Sequence, residues 1–85
     1  MHPGEYLKSA FMVPLGLNHQ TLSKALNVTP ATVSRLVNGK ASVSIEMALR
    51  LSHALGNSAE QWLNIQTRWD LENVKIDLEG VKKLR

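Results

Sequence analysis

The chain of 85 residues contains no cysteine. Disulfides and thiolate metal sites are thereby excluded, which suits a reducing cytoplasm. Its three histidines, His2, His19 and His53, stand far apart. No pair has the spacing of a zinc motif, so no metal or other cofactor is expected. Apolar runs are short, and none approaches the roughly 20 residues of a membrane span. The stretch from Met1 to Gly16 lacks a basic start and is interrupted by Glu5, Lys8 and Pro14, so it does not read as a signal peptide. A protein without membrane attachment is expected. No stretch alternates apolar and polar residues for long enough to suggest a sheet, and no repeat is present. A glycine-rich phosphate loop and a nucleophile elbow are also missing, which argues against an enzyme. The acids at Glu60, Asp70, Glu72, Asp77 and Glu79 read as the solvated face of one helix, not as a catalytic pair.

What is present is helical. Leu, Ala, Lys and Glu dominate the periodic segments. The first helix is expected over about Gly4 to Val13, stopped by Pro14 and Gly16, with Tyr6 or Leu7, Ala10 and Phe11 inward. The second starts at the N-cap Asn18 and runs to Leu26, ending at Asn27, a residue that tolerates the left-handed region. The third takes Thr29 as N-cap and Pro30 as its first residue, and continues to Val37. The fourth runs from the cap Ser44 to Leu55 before Gly56, with Ile45, Ala48, Leu49, Ser52 and Leu55 at helical spacing. The fifth starts at Ser58, where Gln61 completes a possible capping box, and is expected to reach about Leu78. Trp62, Trp69 and Ile76 repeat every seven residues along it, with Ile65 beside them. One small core cannot cover so long an apolar line. These four residues are therefore the expected homodimer interface. A single all-α domain spanning residues 1–85 follows, marginal in size and helped by a second chain.

The net charge is +3, and its distribution is uneven. Residues 1–40 carry Lys8, Lys24, Arg35 and Lys40 against Glu5 alone, while the rest of the chain is balanced. A basic surface in the first half would attract a polyanion.

Residues 18–38 sharpen this. Leu22, Leu26, Val28, Val33 and Leu36 are inward anchors, Ser23 permits a close helix contact, and Asn27 supplies the turn. These are the requirements of a helix-turn-helix unit. The outward positions of its second helix, Pro30, Ala31, Thr32, Ser34, Arg35 and Asn38, carry no acid. The candidate DNA contacts are Asn18, His19, Gln20, Thr29, Ala31, Thr32, Ser34, Arg35, Asn38 and Lys40. Thr32 suits a thymine methyl or a base edge, and Arg35 a guanine O6/N7 edge through two parallel bonds. Ser34 can reach a base or a phosphate. Backbone N–H groups near Asn18, His19 and Gln20 can hold a phosphate, and Asn38, Gly39 and Lys40 can meet the other strand. The plainer alternatives are an Arg35 paired with a neighbouring acid and a solvated Lys40.

At these residues a family resemblance emerges. Leu17 to Leu55 resembles the phage-repressor (Cro/C1, or XRE) helix-turn-helix domain. The opening His2-Pro3-Gly4-Glu5-Tyr6-Leu7 with Pro14-Leu15-Gly16-Leu17, and the segment Trp62-Leu63-Asn64-Ile65-Gln66 with Trp69-Asp70-Leu71, resemble the flanks of HigA-type, or VapI-like, antitoxins. Asn27 stands where that family often has glycine, and Asn18-His19 where it often has serine-glutamine. Pro30 and Ala31 replace the long polar readers of phage repressors. The resemblance implies a homodimer that binds a palindromic operator in double-stranded DNA and silences a RelE-like (HigB) mRNA-cleaving toxin. The alternative is a regulator of the same family without a toxin. Toxin contacts would lie away from the reading helix: Tyr6 and Phe11 at the first helix, the exposed face of the fourth, and the acids Glu5, Glu46 and Glu60.

Overall fold

The computed structural model describes residues 1–85, which form five helices and no strand. Helix α1 occupies residues 3–15, α2 His19–Leu26, α3 Pro30–Val37, α4 Ile45–Leu55 and α5 Ala59–Asn73. Side-chain caps set their starts. Asn18 Oδ1 accepts the Thr21 amide at 2.7 Å, Thr29 Oγ1 that of Thr32 at 3.2 Å, Ser44 Oγ that of Met47 at 3.1 Å and Ser58 Oγ that of Gln61 at 3.1 Å. Each bond satisfies one of the orphan N–H groups of a first helical turn. The reciprocal half of the capping box at α5 does not form, because the Gln61 side chain donates instead to the Tyr6 hydroxyl at 3.0 Å.

Helix α1 departs from the expectation at both ends. It starts at Pro3, capped by His2, whose Nδ1 accepts the Gly4 amide at 2.9 Å. Pro14 does not stop it. The helix passes from an α-helical Pro3–Leu7 into a π-helical Lys8–Met12 and closes with Val13–Leu15 before the left-handed Gly16. Within the wide turn the Val13 amide bonds to the Lys8 carbonyl, five residues back. Proline following a wide turn escapes the clash with the carbonyl four residues earlier that a regular helix would impose. The extra residue in that turn also rotates the register. Leu7 and Met12, five apart, are buried, and Ala10 is exposed.

The core unites Leu7, Met12, Leu22, Leu26, Val33, Leu36, Val43, Ala48, Leu51 and Trp62. Trp62 has no exposed surface. Tyr6 and Phe11 lie against it with ring centroids 5.4 and 5.8 Å away, and its indole N–H donates to Asn57 Oδ1 at 2.8 Å. Helix α1 packs on α3 and α5, α2 on α3 and α4, and α4 on α5. The α1–α3 crossing is close: a Cβ on Gly4 would run into the carbonyl oxygen of Leu36. Along α4, Ala48 and Leu51 face the core, whereas Ile45 and Leu49 point largely to solvent. One polar side chain ties the α3–α4 connection to α5. Gln66, buried, accepts the Val43 amide at 2.7 Å through Oε1 and donates to Asp70 Oδ1 at 2.8 Å.

Helix α5 ends at Asn73, five residues short of the expected Leu78. Its last turn has no basic side chain, and Asp70 and Glu72 lie near its negative end. Asn73 Nδ2 donates to the Trp69 carbonyl at 2.9 Å, and Val74 is extended. No other helix covers Leu71, Val74, Ile76 or Leu78, so tertiary burial does not extend the helix.

Candidate nucleic-acid interface

The α2–α3 unit is built around Asn27. Its φ and ψ are 57° and 48°, the one positive φ outside glycine. Short polar side chains tolerate this conformation best after glycine. The Asn27 amide bonds to the Lys24 carbonyl at 3.2 Å and the Val28 amide to the Ser23 carbonyl at 3.0 Å, which closes the end of α2. Ser23 is buried, and its hydroxyl donates to the Gln20 carbonyl at 2.8 Å. Arg50, from α4, holds the turn from outside. Its Nη1 donates to the Leu26 carbonyl at 2.8 Å and its Nη2 pairs with Glu46 at 2.9 Å. Nothing in the local sequence pattern marks Arg50 for this role.

Val33 and Leu36 fix the orientation of α3 by burial, and the opposite face is turned outward. Ala31 and Arg35 are exposed one turn apart, and Thr32 and Ser34 are half-buried beside them. Arg35 makes no ion pair; the one ion pair of the chain joins Arg50 to Glu46. The alternative of an acid-paired Arg35 therefore fails. The polar neighbours hold one another: Thr29 and Thr32 hydroxyls lie 2.9 Å apart, and Asn38 Nδ2 donates to Ser34 Oγ at 3.3 Å. Gly39, at φ 73°, and Lys40 follow in a turn whose Lys40 amide bonds to the Arg35 carbonyl at 2.8 Å. Lys40 is exposed.

At the start of α2 the arrangement differs from expectation in one useful respect. The Asn18 side-chain oxygen is committed to the Thr21 amide and hydroxyl, so Asn18 acts as a cap. Gln20 is exposed and His19 half-buried. His19, Lys8 and Asn38 line one cleft of about 250 Å³ between α1, α2 and the end of α3. Lys8 is not a position that the helix-turn-helix pattern suggests. It is remote in sequence from that unit, and only the packing of α1 on α3 brings it there.

Residues 7–62 match the family model described as "Helix-turn-helix". Antitoxin HigA-1 of Vibrio cholerae is 42% identical over 82% of this chain and 69% of its own length. The chain belongs to the HigA-type branch of the XRE helix-turn-helix family. The solved structure of antitoxin GraA superposes on 99% of the chain and 96% of its own, with a TM-score of 0.91 and 36% identity. That of Pseudomonas aeruginosa antitoxin HigA, solved with the higBA promoter, covers 85% of the chain and 78% of its own at a TM-score of 0.82 and 33% identity.

The heptad line of α5 does not form one exposed surface. Trp62 belongs to the chain's own core and has no exposed surface to offer a partner. Ile65 is half-buried, and Trp69 packs edge-on against the His2 ring at 5.3 Å. Ile76 lies beyond the end of the helix. Tyr6 and Phe11, both half-buried, face Trp62, and Glu5 lines a cleft with Asn38 and Gly39. Glu5 therefore sits beside the end of α3 and not on a separate surface. Glu46 is engaged by Arg50.

Proposed function

We propose that this chain is a sequence-specific DNA-binding autorepressor and the antitoxin of a type II pair, acting as a homodimer. The observation that carries the DNA half is the outer face of α3. It presents an unpaired Arg35 among short polar side chains, without an acid, on a helix whose inner face is locked into the core. Placed in the major groove, Arg35 reads a guanine edge and Ala31 and Thr32 lie against neighbouring base edges. Thr29, Ser34 and Asn38 flank this reader. Phosphates on one strand meet the N–H groups at the start of α2, near Asn18, His19 and Gln20, together with Lys8 in the shared cleft. Gly39 and Lys40 meet the opposite strand. Two copies then read half-sites about 34 Å apart on a palindromic operator.

The toxin half rests on the family. Neutralisation of a small RelE-like ribonuclease encoded beside this chain is the corresponding expectation, and the reading helix must stay free for repression to persist. The DNA half is tested by gel shift with the upstream promoter: retardation with a scrambled duplex as strong as with the promoter would refute sequence-specific readout. The toxin half is tested by co-expression. The adjoining gene alone should arrest growth and this chain should relieve the arrest; arrest that persists refutes neutralisation.

A further inference from the structure

Between Glu5 and Glu46 the chain carries no acidic side chain. His19 stands within that stretch as the first residue of α2, half-buried, and makes no side-chain hydrogen bond or ion pair within the chain. From α1, Lys8 shares with it the cleft of about 250 Å³, over Met12 and Leu17. From α3, Val37 and Asn38 complete the lining and carry no charge. On α2 itself the sole other charged side chain is Lys24, more than one turn further on. Glu5, nearly one turn before Lys8, opens into the neighbouring cleft with His2 and Trp69. The amides of His19 and Gln20 also lack an acceptor, because the Asn18 side chain caps Thr21. The cleft thus sets one fixed cation and free N–H donors around a ring that can become a second cation.

We propose that His19 takes up a proton as a backbone phosphate of the operator enters this cleft, so that operator affinity rises as pH falls. This rests on the DNA-binding reading and adds a regulation of that same contact. Histidine is the side chain that ordinarily changes charge between about pH 5 and 8. Without DNA, a charged His19 meets Lys8, a like charge, and the positive end of α2, and no carboxylate shares the cleft. A phosphate oxygen between the two side chains replaces that repulsion with a shared attraction. It accepts from the imidazolium and from the Lys8 ammonium in charge-assisted bonds. Neutral His19 still donates one N–H, so binding persists at high pH and is weaker there. Because the complex favours the charged ring more than the free chain does, binding absorbs a proton, and the gain fades as pH rises. Replacing a neutral by a charge-assisted hydrogen bond tightens binding about fivefold for each half-site, and on the order of 25-fold for a dimer on a palindrome.

Titration of the full chain against the upstream promoter duplex, from about pH 8 to about pH 5.5 at constant ionic strength, tests this. Wild type should tighten by the factor above as pH falls, and the slope of log K against log salt should steepen by about one for each His19 that becomes charged. His19→Gln should bind as wild type does at the high end of the range and gain nothing at the low end. His19→Lys should bind tightly throughout. His53→Gln, at an exposed position of α4, should keep the wild-type pH dependence. Helical circular dichroism over the same range verifies that each variant is folded. In wild type, the His19 ring signals followed by NMR should titrate at higher pH with the duplex bound than without it. A promoter duplex bound no better than a scrambled one at every pH removes the DNA reading and this linkage together. Promoter binding that ignores pH, a pH dependence that His19→Gln retains, or a His19 titration unmoved by the duplex overturns the linkage alone.

Discussion

Replacing Arg50 with methionine keeps the aliphatic stem and removes the guanidinium that bridges α4 to the helix-turn-helix turn. Three interactions go with it. The bond to the Leu26 carbonyl is short, 2.8 Å, and charge-assisted, a class that contributes about 1.5–3 kcal/mol. The approach to the Asn27 carbonyl is 3.5 Å long and adds little. The ion pair with Glu46 spans one helical turn and is solvent-exposed on the Glu46 side, 75% against 34% for Arg50, so it contributes only about 0.3–0.5 kcal/mol. Because a third of the arginine side chain is in water, water replaces part of what the substitution removes. The expected destabilisation is then about 2 kcal/mol, or on the order of 10 °C in Tm for a domain of this size. Glu46→Gln should cost only about 0.5 kcal/mol, since Arg50 still reaches the turn. Thermal unfolding followed by helical circular dichroism, at one fixed protein concentration, compares the two. Arg50→Met no more destabilising than Glu46→Gln would refute the assignment of the larger effect to the turn carbonyl.

On DNA, Arg35→Ala should cost roughly 1–3 kcal/mol of operator affinity and relax preference at one base position, as read by titration against a panel of single-base operator variants. Lys8→Ala and Lys40→Ala should weaken all sequences alike and lower the slope of log K against log salt by about one for each phosphate that is no longer neutralised; an unchanged slope shows that the residue meets no phosphate. Gly4→Ala forces a methyl group against the Leu36 carbonyl, so α1 and α3 must separate at a cost of about 1–3 kcal/mol, measured by urea unfolding. Asn27→Val should destabilise by more than about 1 kcal/mol because a β-branched residue must adopt a left-handed backbone, while Asn27→Gly should stay close to wild type.

Much of this protein was legible residue by residue. The caps at Asn18, Thr29, Ser44 and Ser58, the left-handed Asn27, the Gly56 stop and the inward anchors of α2 and α3 are all local. Each depends on bonds or torsions within about one turn of chain, and such chemistry is written in neighbouring residue types. The outer face of α3 follows from the same periodicity, because locking Val33 and Leu36 inward leaves Ala31 and Arg35 facing out.

Other features depended on tertiary structure. The π turn in α1 replaced Ala10 by Met12 as the buried residue, a choice made by what Leu7 and Met12 pack against. Lys8 joined His19 and Asn38 only because Gly4 lets α1 approach Leu36. Arg50 reached Leu26 across 24 residues, and Gln66 reached Val43 across 23. The heptad of Trp62, Trp69 and Ile76 was real as a spacing, yet its members went to three environments: the core, the His2 ring and the exposed segment beyond the end of α5. Periodicity records which residues can share a helix face. It does not record how far the helix runs or which neighbour covers that face, because those depend on burial free energy contributed by residues distant in the chain.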